Sequence, residues 1–114
     1  MNLHAFLDAM GGIQHPDQRL QRPLTEEGKI YVESLAMQIM NEHPIDKFGD
    51  LVNVSDSHKW AVESYNYAVS DVYSFVAENK KTTPEWEEKI KTLCKERVAL
   101  AGYRLANSIS SIYE

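Results

Sequence analysis

A chain of 114 residues suffices for one domain, and with 43% hydrophobic residues it has the material for a modest core, which excludes a wholly disordered segment. A formal net charge of −5, with no basic run longer than Lys80-Lys81, leaves no electrostatic grip on phosphate backbones unless a metal ion provides one. The single cysteine, Cys94, excludes an internal disulfide, and no stretch approaches the ~18 consecutive apolar residues of a membrane span.

The first element is Asn2-Leu3-His4-Ala5-Phe6-Leu7-Asp8, stopped by the helix-ending pair Gly11-Gly12. Residues four apart on a helix share a face with Cβ atoms ~6 Å apart, so His4 and Asp8 can each give one side-chain atom to a single metal ion. Leu3, Phe6, Leu7 and Met10 would hold that helix in position by packing. An imidazole nitrogen and a carboxylate oxygen suit zinc, but the same spacing also describes an ordinary surface ion pair. The residues alone leave both readings open.

Residues 13–23 are polar and bracketed by Pro16 and Pro23, a loop in which His15 is expected to be solvated. Thr25 then reads as an N-cap, with Glu26 and Glu27 in the first turn, where the helix dipole favours negative charge. Val32, Leu35, Ala36, Ile39 and Met40 follow at helical spacing, predicting a buried stripe on a helix over 26–42, with Met37 and Met40 as gap-filling core residues. His43, next to Pro44, is expected to face water. Phe48 and Leu51, set among turn formers, should pin a loop to the bundle.

Ser55-Asp56-Ser57 offers several caps for a second long helix over 57–77, and Thr82 or Thr83 with Pro84 and Glu85 marks the start of a third over 84–112. Gly102 lies inside this last helix, where it costs about 1 kcal/mol relative to alanine, most easily offset by close packing of a neighbouring helix. The periodic stripes predict a core of Leu35, Ile39, Trp60, Ala68, Val72, Leu93, Ala101 and Leu105, with Cys94 as a small core residue. No segment has the period of a strand. The expectation is therefore an all-α helical bundle forming one domain over residues 1–114.

Three patches in order carry a resemblance: Asn2-Leu3-His4 with Asp8, Trp60-Ala61 with Glu63-Ser64, and Arg97-Val-Ala-Leu-Ala-Gly-Tyr-Arg-Leu-Ala106. Together they resemble the C-terminal part of the zinc-dependent nucleases related to bacterial phospholipase C, best known from the fungal single-strand nucleases. Pro23-Leu24-Thr25-Glu26 and Thr83-Pro84 are similar to bacterial members. The resemblance covers nearly the whole chain. It implies an all-α fold with three zinc ions, of which His4 and Asp8 match the last two protein ligands.

It further implies hydrolysis of single-stranded nucleic acid to 5′-nucleotides by metal-activated water, and secretion or a periplasmic location. Leu7 stands where the family commonly has tryptophan, a packing change. The family's N-terminal part, with the remaining ligands and the base-binding pocket, has no counterpart in this sequence. The chain alone is therefore expected to be inactive, to hold at most one zinc weakly, and to self-associate through the surface that part would cover. Glu63 and Arg104 match positions where a carboxylate and a guanidinium on neighbouring helices would satisfy each other. A non-catalytic interaction module, and a zinc site shared between two copies, are the other readings.

Overall fold

The computed structural model describes residues 3–13, 20–78 and 81–113, and among them the fold is all-α, with no strand. Helix α1 spans Leu3–Asp8 and α2 spans Glu26–Glu42; two 3-10 turns, Ile45–Lys47 and Gly49–Asn53, lead to α3 (Ser57–Tyr67). A π-helical segment, Ala68–Tyr73, joins α3 to α4 (Ser74–Glu78), and α5 runs from Pro84 to Ile112. His15 lies outside the described residues.

Side-chain caps start the helices where the sequence predicts. Thr25 Oγ1 accepts from the Gly28 N–H at 3.0 Å, an Asp56 carboxylate oxygen from the His58 N–H at 2.9 Å, and Thr83 Oγ1 from the Trp86 N–H at 3.2 Å. The helix expected over 57–77 is one helical run broken in geometry by the π segment. Within it the Ser70 hydroxyl donates to the Asn66 carbonyl at 2.8 Å and Ser74 to the Ser70 carbonyl at 2.7 Å. Such back-bonding competes with the α-helical ladder, and this is where the ladder loosens.

Helix α5 is a spine with two separate cores along it. Toward its N-terminus, Trp86 and Ile90 bury against Val72, with Leu3, Phe6 and Leu7 of α1 packed on the same cluster. Further along, Ala99 and Leu100 bury against Ile39, Phe48 and Val52, so Phe48 does pin the connecting turns to the bundle. Cys94 is half-buried beside the first of these clusters, where desolvation raises its thiol pKa.

Several expected core positions are not core. On α2 only Ile39 of the predicted stripe is buried and Leu35 half-buried, while Val32, Met37 and Met40 are exposed, because the helix meets α5 chiefly around Leu35 and Ile39. On α5, Ala101 is exposed and Leu105 is 61% exposed; the buried stripe instead runs through Leu100 and Arg104. The paired bonds from Arg104 to Glu63 turn this neighbouring face inward. Gly102 has open space around it, since an added Cβ would meet no atom within 4 Å, and no helix among the described residues packs there.

His43 is buried at 4% exposure rather than facing water. It caps α2, its carbonyl accepts from the Tyr103 hydroxyl at 2.8 Å, and its Nδ1 lies 3.0 Å from Lys47 Nζ.

Candidate metal centre

Helix α1 is short because Met10, Gly11 and Gly12 all take positive φ, turning the chain out of the helix directly after Asp8 and Ala9. Within it, His4 and Asp8 stand one turn apart on the face away from α5. His4 Nε2 lies 3.1 Å from Asp8 Oδ2, and the side chains are 87% and 69% exposed. Two ligands at zinc's usual ~2.0 Å, at a tetrahedral angle, stand ~3.3 Å from each other, so this separation suits shared coordination with little movement. The donor set fits zinc. Among the described residues, however, no third His, Cys, Asp or Glu joins the pair to make a group able to hold a metal.

Far along α5 lies the second constellation that the sequence singles out. Glu63 on α3 and Arg104 on α5 form a two-pronged pair, with Nη1 donating to Oε1 at 2.9 Å and Nη2 to Oε2 at 2.8 Å. Arg104 is 5% exposed; its Nε donates to the Leu51 carbonyl at 3.0 Å, and its guanidinium lies 5.5 Å from the Trp60 ring centroid. Arg97, which sequence reasoning did not pair, donates to Glu63 Oε1 at 3.1 Å and lies over Tyr67 at 5.0 Å. Hydrogen bonds from Arg104, above all, hold the Glu63 carboxyl below its usual pKa.

Arg104 spends its Nε, Nη1 and Nη2 donors on Leu51 and Glu63, so this pair braces α3 against α5 rather than presenting charge. Beside it opens a cavity of about 500 Å3, with Trp60, Arg97 and Leu105 in its wall. It is apolar for the most part and shares no residue with the His4–Asp8 pair.

The S1/P1 nuclease family model matches residues 1–114, the whole chain. The chain belongs to the S1/P1 nuclease family. No curated protein and no solved structure matches it significantly. Membership carries nuclease-type chemistry on nucleic acid, and the S1/P1 nucleases are generally zinc-dependent and typically secreted. For this S1/P1 family member, no helix among the described residues is long and apolar enough to cross a membrane.

Sequence reasoning named the charged pair on α1 and gave Leu3, Phe6, Leu7 and Met10 the task of holding the helix by packing, but did not name what they pack against. The partner is Trp86, which stacks between Phe6 and Phe75 under α1. The π segment that receives its indole N–H has no recognisable signature in the sequence beyond the serines at 70 and 74.

Proposed function

We propose that residues 1–114 act as one helical unit, the C-terminal portion of a zinc-dependent nuclease, and that His4 and Asp8 are two of its metal ligands. The observation that carries this reading is the convergence of His4 Nε2 and Asp8 Oδ2 at 3.1 Å, on a solvent-facing side of α1, in a chain matched throughout by a nuclease family. The reaction is hydrolysis of phosphodiesters in single-stranded nucleic acid to 5′-nucleotides, in a protein exported from the cytoplasm. Zinc would supply Lewis acidity toward water and phosphate. His4 gives its Nε2 lone pair, leaving the ring proton on Nδ1, and Asp8 gives one carboxylate oxygen.

Two ligands leave the rest of a coordination shell to further protein. Exposed apolar residues support the same conclusion, among them Ile30, Met37, Tyr65, Leu105 and Ile112. Additional protein, from the same enzyme or from a second copy, would cover these side chains, and the chain alone is then inactive.

Titrating zinc into the protein and following the His4 ring by NMR tests the assignment. The His4 signals should shift, His4→Ala and Asp8→Ala should each abolish the response, and acidification should weaken it because imidazole must lose its proton to bind. Zinc uptake that survives both substitutions would refute the ligand assignment. Saturation at half an equivalent per chain would show a site shared between two copies.

A further inference from the structure

Helix α1 is six residues long, well short of the length at which a helix sustains itself in water. Its two candidate ligands face solvent and do not anchor it. The direction in which they point is therefore set from below. Phe6 stacks on Trp86, with ring centroids 5.8 Å apart and planes inclined by 23°; Trp86 stacks in turn on Phe75, at 5.2 Å and 16°. The middle ring of this pile is 5% exposed, and its Nε1 donates to the Asp71 carbonyl at 3.1 Å. That carbonyl belongs to the π segment, so the indole is clamped in the plane as well as stacked on both faces.

A second contact fixes the other end of the arm. Gly11, at φ +71°, lies so close to α5 that an added Cβ would stand 2.8 Å from Lys91 Cα and 3.0 Å from its backbone nitrogen. Only glycine permits this approach at that backbone conformation. Phe6 and Gly11 thus seat α1 on two points of α5, Trp86 and Lys91, with Leu3 and Leu7 packed on the same cluster.

We infer that Trp86 is a positioning residue for the His4–Asp8 pair: the ring pile and the Gly11 contact hold α1 in a fixed pose, and that pose sets the pair's affinity for metal. The inference rests on the ligand role proposed above. When α1 lifts off α5, a six-residue helix melts, and His4 and Asp8 no longer share a face. Binding must then reorder the backbone before both ligands can engage. The phenylalanine and tryptophan rings lie under α1, on the side away from the two candidate ligands, and would act on a bound metal only through the helix.

The test uses the full chain, with zinc affinity read from the His4 ring by NMR and amide hydrogen exchange in α1 measured without metal. Trp86→Leu should weaken zinc binding by about tenfold, the scale on which supporting groups tune metal sites, and should speed exchange at Ala9 and Gly11. Trp86→Phe keeps a ring but loses the bond to Asp71, and should fall between. Phe48→Leu, in the other core cluster, serves as the control: it should lower the denaturation midpoint and leave zinc affinity unchanged.

Unaltered zinc affinity in both Trp86 variants, with a wild-type chain that binds, would overturn the positioning role alone. An equal loss in Phe48→Leu would overturn it too, by showing general loosening instead. A wild-type chain whose His4 ring ignores zinc would overturn the ligand assignment itself, and this inference with it.

Discussion

Exchanging Glu63 for glutamine is expected to destabilise the fold by about 3 kcal/mol, the low end for breaking a buried ion pair because the carboxylate is 22% exposed. The substitution keeps the shape and removes the charge. It leaves Arg104 buried with only the Leu51 carbonyl as a full partner, and it strips Arg97 of its carboxylate at the same time. The reverse change, Arg104→Met, should cost less in charge terms, since Glu63 retains Arg97 and is nearer to water. Combining Glu63→Gln with Arg104→Met should cost less than the sum, because no unpaired buried charge remains. Urea denaturation of the four proteins measures this cycle, and simple additivity would show that the pair is not coupled.

The second large effect separates two leucines five positions apart on α5. Leu100 is 2% exposed within the cluster of Ile39, Phe48, Val52 and Ala99, and truncating it to alanine should cost about 2–5 kcal/mol through lost burial and the cavity left behind. Leu105 is 61% exposed, and the same truncation there should stay within about 0.5 kcal/mol. Comparable losses at the two sites would mean that the face of α5 at Leu105 is covered in solution, and would draw attention to self-association.

Acid should weaken the fold through two carboxylates in particular. Glu63 is held below the usual range first by its bonds to Arg104, and Asp71 first by Lys89, whose Nζ lies 3.0 Å away, and then by Ser70. A folded-state pKa below the unfolded one means that the native state binds fewer protons. The stability contributed is therefore complete above the ordinary carboxylate range and is lost as pH falls through the lowered folded values. Denaturation midpoints measured from neutral pH downward should show this fall, with a shallower slope in Glu63→Gln.

Much of this protein is determined along the chain itself. The starts of α2 and α5 follow from Thr25, Thr83 and Pro84, because a cap satisfies backbone donors a few residues away and needs nothing distant. The spacing of His4 and Asp8 is likewise a property of any helix, and so their convergence was legible before any fold. The partnership of Glu63 with Arg104 was legible only by likeness to the zinc nucleases, since charge alone does not say which of several residues will meet.

Tertiary structure decided the rest. Which face of α5 is buried depended on Arg104 being drawn inward by Glu63 and Leu51, a polar stripe that apolar periodicity passes over. His43 lost its expected exposure because Tyr103, sixty residues on, closes over its carbonyl. The seat of α1 required Phe6, Phe75 and Trp86 to stack and Gly11 to meet the backbone of Lys91, contacts between segments up to about eighty residues apart. Local rules place a side chain on its helix; only the packing of helices against one another decides what that side chain faces.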